Sequence, residues 1–425
     1  MLFKKSAKMI VYKFGGASVK DANGVKNLFR IIKPVSDKLI IVVSAFGKTT
    51  NALEDILKLS YDNVSLSKDK LTNLFLYHYS IMDELFEDKA HPIFEIIKSL
   101  FHDLEKNIEK TTYASFDQKY DQVISFGEIF STKIISDYLK IAGFDNQWID
   151  IREKMVTDTT FRDAKVVFKK SEGNIQSAFN FKFVEAYITQ GFIGGTEAGL
   201  STTLGREGSD YTAALLANFL DAKEVVVWKD VEGVLNADPQ YFTSTFKLNR
   251  LSYQETVEMA YFGAKVIHPK TIKPLHNKNI PLMVKSFINP QGEGTVIQCF
   301  DAYDENLPVI ILKKHQVLVS LFPKDLSFVI EDELSKIFRY LSDNKIKINL
   351  IQNSAISFSF CFDNTNNKVQ QLIELLKEDY KVLYNDQLEL LTIRHYTAEA
   401  IAEVTNGRKI YIEQRSRHTA HFVIK

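Results

Sequence analysis

The stretch "MIVYKFGGASVKDANGVKNLFRIIKPVSDKLIIVVS" runs from Met9 to Ser44 and decides the fold class. Met9–Phe14 is a short apolar strand that ends in Gly15-Gly16. Leu39–Ser44 is an unbroken apolar run, the pattern of a strand buried on both faces. Between them, Asp21–Lys33 sets Val25, Leu28, Phe29 and Ile32 on one helical face. Strand, helix and strand in that order predict a parallel sheet and an α/β fold.

The same rhythm continues downstream. Residues 51–113 read as mostly helical, and 121–141 as a further helix stopped at Gly143. Strands are expected at 147–151, 184–193, 224–228 and 280–287, with helices at 209–220 and 252–261. "INPQGEGT" (288–295) has the Pro and Gly content of a boundary. Beyond residue 300 glycine nearly vanishes, Gly407 being the only one past Gly294. There the order of short strands and helices fits small ferredoxin-like modules, one complete and one partial. Strands are expected at 307–313 and 316–322, and again at 379–384 and 387–395.

Lysine plus arginine and aspartate plus glutamate both number 53. A chain with zero formal net charge is a poor match for nucleic acid or an anionic membrane as main partner. No apolar run approaches the ~18 residues of a membrane span. The first residues, "MLFKKSAKMIVYKF", do not form a secretory signal. The two cysteines, Cys299 and Cys361, lie too far apart for a framework or a metal motif. Both are expected to be free core thiols in a reducing, cytoplasmic setting. The scattered histidines are expected to be packed or exposed residues rather than ligands.

Familiar nucleotide motifs fail. "GKT" at Gly47–Thr49 lacks the earlier glycine of a phosphate-binding loop, since Val42 stands there. "GFIGGTEAG" lacks dinucleotide spacing. What remains are short pieces just after strands or at helix starts, where open α/β sheets bind ligands. "KFGGAS" combines Lys13 with two glycines that let backbone N–H groups approach an anion; a tight turn with a solvated lysine explains it equally well. In "SAFGKTTN", Thr49 and Thr50 would serve equally as helix caps. Glu128 in "SFGE" could simply complement a helix dipole, and Asp230 in "WKDVEGVLNADP" an acidic turn. Lys265 in "FGAKVIHPKT" could be helix punctuation, and His268 beside it is read as structural. Together the pieces offer lysines, glycines, hydroxyls and carboxylates, but no Cys–His or Ser–His pair. That set suits phosphoryl transfer to a small acceptor, where the protein positions reactants and screens charge.

The ordered set "KFGGAS", "VVSAFGKTTN", "SFGE", "GFIGGTEAGLSTTLGREGSDYTAALLA", "WKDVEGVLNADP" and "FGAKVIHP" resembles the aspartate kinases of the amino acid kinase superfamily. The match covers roughly residues 9–300, and "TTLGR-x-GSDYTA" is its most specific part. The resemblance implies a three-layer αβα catalytic domain with a mostly parallel sheet over residues 1–300. It also implies a regulatory region over 301–425 built of two ACT modules. One, at about 315–385, would be inserted in a second formed by about 305–314 and 386–425. The implied activity is ATP-dependent phosphorylation of the L-aspartate side chain to 4-phospho-L-aspartate, the entry to lysine, threonine, methionine and diaminopimelate, with Mg²⁺ held mainly by the nucleotide phosphates. Homodimers or larger homo-oligomers would form through the ACT modules. Two alternatives stand beside this: a catalytically weak relative that senses amino acids, and another amino acid kinase, such as one for acetylglutamate.

Carried over by motif, Lys13 would stabilise the transferring phosphoryl group, and Asp210 would orient Lys13 and the substrate amine. Thr50, Glu128, Arg206 and Ser209 would hold aspartate, Arg206 by forking a carboxylate. Gly15, Gly16, Ser18, Lys229, Asp230 and Lys265 would line the nucleotide side, and no metal ligand is implied. This chain departs from the family at Ala17 (usually Thr), Glu207 (Gly), Lys229 (Thr), Leu235 (aromatic) and Gln240 (Arg). In the tail, the loop "FPKDLSFVIED" has no glycine, and Asn349 stands where lysine-sensitive relatives often have an acid. Weak, altered or absent lysine feedback is therefore expected.

Overall fold

The computed structural model describes residues 9–264, 267–300, 307–325, 327–364 and 368–425. The chain divides into two compact units. One holds Met1–Val234, Lys247–Val257 and Val266–Asp301; the other holds Leu235–Phe246, Glu258–Lys265 and Ala302–Lys425. A single cut at residue 300 thus leaves with the first unit two short segments, Leu235–Phe246 and Glu258–Lys265, that belong to the second.

The first unit is built on an eight-stranded sheet. Its strands are β1 (Met9–Phe14), β2 (Lys38–Val43), β3 (Gln147–Ile149), β4 (Ala186–Gln190), β5 (Glu224–Lys229), β6 (Arg250–Ser252), β7 (Leu282–Ser286) and β8 (Thr295–Gln298). They lie in the order β6-β8-β7-β5-β1-β2-β4-β3. Every pair is parallel except β7 with β8. "INPQGEGT" is therefore no boundary. It is the turn of the antiparallel β7–β8 pair, where Gly294 has φ +74° and an added Cβ would stand 2.3 Å from the Val284 carbonyl oxygen. Glycine and proline mark a chain reversal here, and the same residues would mark a linker.

Helices α1 (Ala22–Ile32), α2 (Thr49–Asp62), α3 (Val64–Leu85), α4 (Ile93–Glu109), α5 (Phe116–Ile124) and α6 (Phe126–Ile141) follow. The helix expected over 121–141 is thus two helices that meet at Ser125. Further on come α7 (Phe168–Ala178), α8 (Gly208–Phe219), α9 (Tyr253–Tyr261) and α10 (Pro269–Asn277). Strand alternation sorts the layers. In β1, Ile10 and Phe14 join the core beneath α1 to α6. Val11 and Lys13 therefore face the opposite side, where α8 packs on β1, β2 and β5. Strand β1 has β2 on one side and β5 on the other, so the connections diverge at its carboxyl end. That is the switch point where such sheets bind ligands.

The second unit carries a six-stranded antiparallel sheet. Its strands are β9 (Val309–Pro323), β10 (Ile348–Ser354), β11 (Ser357–Asp363), β12 (Tyr380–Arg394), β13 (Ile410–Arg415) and β14 (Thr419–Ile424), in the order β10-β11-β9-β12-β14-β13. Its helices are α11 (Glu331–Asp343), α12 (Lys368–Lys377) and α13 (Ala398–Thr405). The architecture is that of the expected α+β ACT modules. The strand pairs expected with breaks at 314–315 and 385–386 instead run as single long strands, β9 and β12. His315 (φ 55°) and Gln387 (φ 53°) take left-handed backbone there, and the β9–β12 register shifts at Gln316. A bulge bends a strand without ending it, so polar interruptions that read as breaks became kinks.

Cys361 is buried as expected, and burial pushes its thiol up to about 12. Cys299 is exposed and is not a core thiol. No helix among the described residues is long and apolar enough to cross a membrane.

Candidate active site

An open cavity of about 570 Å³ lies at the carboxyl ends of β1, β2 and β5. Of the residues singled out from sequence, it gathers Lys13, Gly16, Thr50, Glu128, Arg206, Ser209, Asp210 and Lys229. Gly15, Ser18 and Asp230 do not line it; Ser18 is buried, its N–H bonded to the Gly15 carbonyl, and Asp230 is exposed. Lys265 lies outside the described residues.

Lys13 and Asp210 form the centre. Nζ of Lys13 stands 2.7 Å from Oδ1 of Asp210, with side chains 11% and 4% exposed. Lys229 Nζ approaches the other oxygen at 3.9 Å. Burial alone would push the Asp210 carboxyl up; the charges of Lys13 and Lys229 and the Lys13 hydrogen bond outweigh it and hold it below the ordinary range. The pairing follows from β1 alternation, which points Lys13 at α8, and from Asp210 lying in the first turn of that helix.

Close packing brings the strand ends together. Gly16 meets the β2 loop, and its added Cβ would stand 2.6 Å from the Ala45 carbonyl oxygen. Gly47 N–H donates to the Gly16 carbonyl at 3.0 Å. The Ser44 hydroxyl donates to that of Ser209 at 3.0 Å.

Three helices present their first turns to this cavity, and none is capped by a side chain. They are α2 after Lys48, α6 after Ser125 and α8 after Glu207. By contrast α1 is capped, Asp21 accepting from Gly24 N–H at 2.8 Å. So Thr49 and Thr50 do not cap α2. The N–H groups of Thr49, Gly208 and Asp210 are already taken by the carbonyls of Phe46, Gly205 and Glu207, so what these ends offer an anion is chiefly their positive dipole.

Glu128, in the first turn of α6, is wholly enclosed. One oxygen accepts from Ala45 N–H at 3.3 Å; the other has no partner among the described residues. Burial pushes its carboxyl up to about 8, with Lys13 pulling the other way. A folded-state value above the unfolded one means that stability from this group is full below about pH 4.5. It is lost as pH rises toward 8. The melting temperature of the ligand-free protein should therefore fall relative to Glu128→Gln between about pH 5 and pH 8. A flat difference across that range in thermal unfolding would refute a neutral Glu128.

Glu207 is explained by its backbone. It has φ 53°, the left-handed region in which glycine is at ease, which accounts for the glycine of the family. Its carboxylate accepts from the His268 N–H at 2.8 Å. The His268 ring caps α10, taking the Lys270 N–H, so it is structural as read. Replacement by glycine relieves the backbone and by alanine does not, while both lose the bond to His268. Glu207→Gly should thus be more stable than Glu207→Ala by about 1 kcal/mol in denaturant unfolding. Equal stability would refute the strain.

One side of the cavity, formed by Glu54, Tyr120 and Arg162, is not among the residues singled out from sequence. The Tyr120 hydroxyl donates to Glu54 at 2.5 Å, and the Arg162 guanidinium lies 4.4 Å over the Tyr120 ring. Two of these sit on helix faces without a motif, and the third is in a loop, so no local pattern marks them.

The sequence matches the amino acid kinase family over residues 8–286. It is 31% identical over 367 residues to lysine-sensitive aspartokinase 3 of Escherichia coli (strain K12), covering 84% of this chain and 79% of that protein. It is 28% identical to the chloroplastic bifunctional aspartokinase/homoserine dehydrogenase 2 of Arabidopsis thaliana, covering 87% of this chain and spanning 42% of that protein's length. The crystal structure of E. coli aspartokinase III with aspartate and ADP is similar with a TM-score of 0.82 at 27% identity, covering 98% of this chain and 96% of that one. The complex with lysine and aspartate gives 0.80 at 28%, covering 98% and 95%. Fold, cavity and these likenesses converge: the chain belongs to the amino acid kinase family and, within it, to the aspartokinases.

Proposed function

We propose that this aspartate kinase transfers the γ-phosphoryl group of ATP to the side-chain carboxylate of L-aspartate, forming 4-phospho-L-aspartate for lysine, threonine, methionine and diaminopimelate synthesis. The observation that carries the reading is the buried Lys13–Asp210 pair at 2.7 Å, in one cavity with Glu128 and Arg206. The carboxylate acceptor is already a nucleophile, so no general base is required. The work left to the protein is to hold two anions in line and screen their repulsion.

Arg206 forks the non-reacting carboxylate. Glu128 takes the substrate ammonium, whose charge draws off the proton that burial keeps on it, and Thr50 and Ser209 contact the bound acceptor. Lys13, held by Asp210, places its charge on the transferring group, and Gly15 and Gly16 offer N–H groups beside it. Lys229 adds charge on the nucleotide side, with Ser18, Asp230 and Lys265 assigned there by motif. Among the described residues no cluster of three or more His, Cys, Asp or Glu is placed to hold a metal. Mg²⁺ is assigned to the nucleotide phosphates on the family resemblance. Residues 1–300 form the catalytic part and 301–425 the regulatory part, in a cytoplasmic homodimer or larger assembly.

Weak, altered or absent lysine feedback belongs to this reading. Asn349 Oδ1 accepts from Lys313 Nζ at 2.9 Å, and its Nδ2 donates to Gln316 Oε1 at 2.8 Å. The amide is engaged within the sheet and carries no charge for an ammonium. Purified protein with ATP, Mg²⁺ and L-aspartate should yield an acyl phosphate trapped by hydroxylamine. Millimolar lysine should change the rate by less than the ~5-fold that marks allosteric coupling. Well-folded protein without turnover refutes the acceptor assignment; strong lysine inhibition refutes only the regulatory one.

A further inference from the structure

Ten non-glycine residues among those described have positive φ, and three of them, Arg162, Phe192 and Glu207, line this one cavity. Strained backbone persists where the surroundings impose it, and it gathers at ligand clamps. Glu207 has its role in the bond to His268. Arg162, at φ 71°, is held just as firmly. Its N–H donates at 3.0 Å to Oδ2 of Asp121, a fully buried carboxylate that also takes Thr203 N–H at 2.9 Å and the Thr203 hydroxyl at 2.8 Å. That bond fixes the backbone, not the side chain. The guanidinium is fixed separately, over the Tyr120 ring at 4.4 Å and against Asp117 Oδ1 at 3.2 Å. Tyr120 is itself held by Glu54.

The loop that bears Arg162 abuts the loop that bears Arg206. An added Cβ on Gly205 would stand 2.4 Å from Asp163 Oδ1 and 3.4 Å from the Arg162 carbonyl oxygen. Asp163 is in turn paired with Lys270. Two guanidinium groups on interlocked loops thus line one cavity, and a planar fork is suited to a carboxylate.

We propose that Arg162 is a second specificity-determining residue of the acceptor site, acting with Arg206 on the non-reacting carboxylate. The assignment rests on L-aspartate being the acceptor. Its consequence is a site that selects an acceptor with two carboxylates over one in which the second is neutral.

The test uses the full chain with L-aspartate and with L-aspartic acid α-amide, whose non-reacting carboxylate is neutralised. Glycine suits φ 71°, so Arg162→Gly should fold with a melting temperature at or above that of the wild type. It should raise KM for aspartate about 10-fold and leave KM for ATP unmoved. The wild-type preference in kcat/KM for aspartate over the amide should shrink by about the same 10-fold in the variant, the signature of a direct coupling. Arg162→Lys should fall between, keeping charge without the fork. An unchanged preference in Arg162→Gly, with wild-type protein that phosphorylates aspartate, overturns the role of Arg162 alone. Wild-type protein that turns over neither compound overturns both this and the acceptor assignment.

Discussion

Lys13→Ala is expected to lower kcat about 10³-fold, the scale for losing a preorganised charge at a transferring phosphoryl group. Because Lys13 also neutralises Asp210, the substitution has a second cost. Asp210 is 4% exposed and would be left as a charge facing mainly Lys229 at 3.9 Å. Breaking a buried pair from one side destabilises by about 3 kcal/mol. The two effects separate in the double variant Lys13→Ala/Asp210→Asn. Its amide no longer needs a cation, so stability should largely return while kcat stays low. Steady-state kinetics beside urea unfolding reads both. Recovery of kcat in the double variant would mean that Lys13 serves only to neutralise Asp210.

Arg206→Ala is expected to raise KM for aspartate about 100-fold, with KM for ATP unmoved. A bidentate guanidinium–carboxylate pair contributes about 2–3 kcal/mol, which is roughly 30- to 150-fold. Arg206 is exposed at the cavity and, among the described residues, no hydrogen bond or ion pair fixes it within the fold. Stability should therefore hold, unlike in Lys13→Ala. Arg206→Lys should recover only part of the loss, since an ammonium cannot fork a carboxylate. Unaltered aspartate kinetics in Arg206→Ala would refute the orientation of the acceptor proposed above.

The two substitutions divide the cavity by chemistry. One half is a buried, mutually neutralised pair whose removal disturbs the fold as well as the rate. The other is a rim cation that waits for its partner. Glu128 lies between, enclosed and driven toward neutrality by burial, so its response to pH reports on the ligand-free pocket.

Much of the fold was legible in the sequence because its signals are local. Period-two alternation and apolar runs placed β1, β2, β5 and β7 within about two residues, and helical periodicity placed α1 and α8. The polar constellation was legible where it sat on strand ends with glycines, as at Lys13–Gly16 and Arg206–Asp210.

The tertiary structure alone decided the rest. Whether His315 and Gln387 end a strand or kink it depends on the neighbouring strand that continues the ladder, not on the residues themselves. Whether "INPQGEGT" separates domains or turns a hairpin depends on what β8 pairs with. Arg162, Tyr120 and Glu54 meet only because buried Asp121 ties the loop of Arg162 to Thr203, 41 residues in sequence from Arg162 and 82 from Asp121. The side chains of a few neighbouring residues specify a strand, a turn or a helix start. A cavity is specified by which of these distant pieces pack together, and that balance is settled by burial across the whole chain.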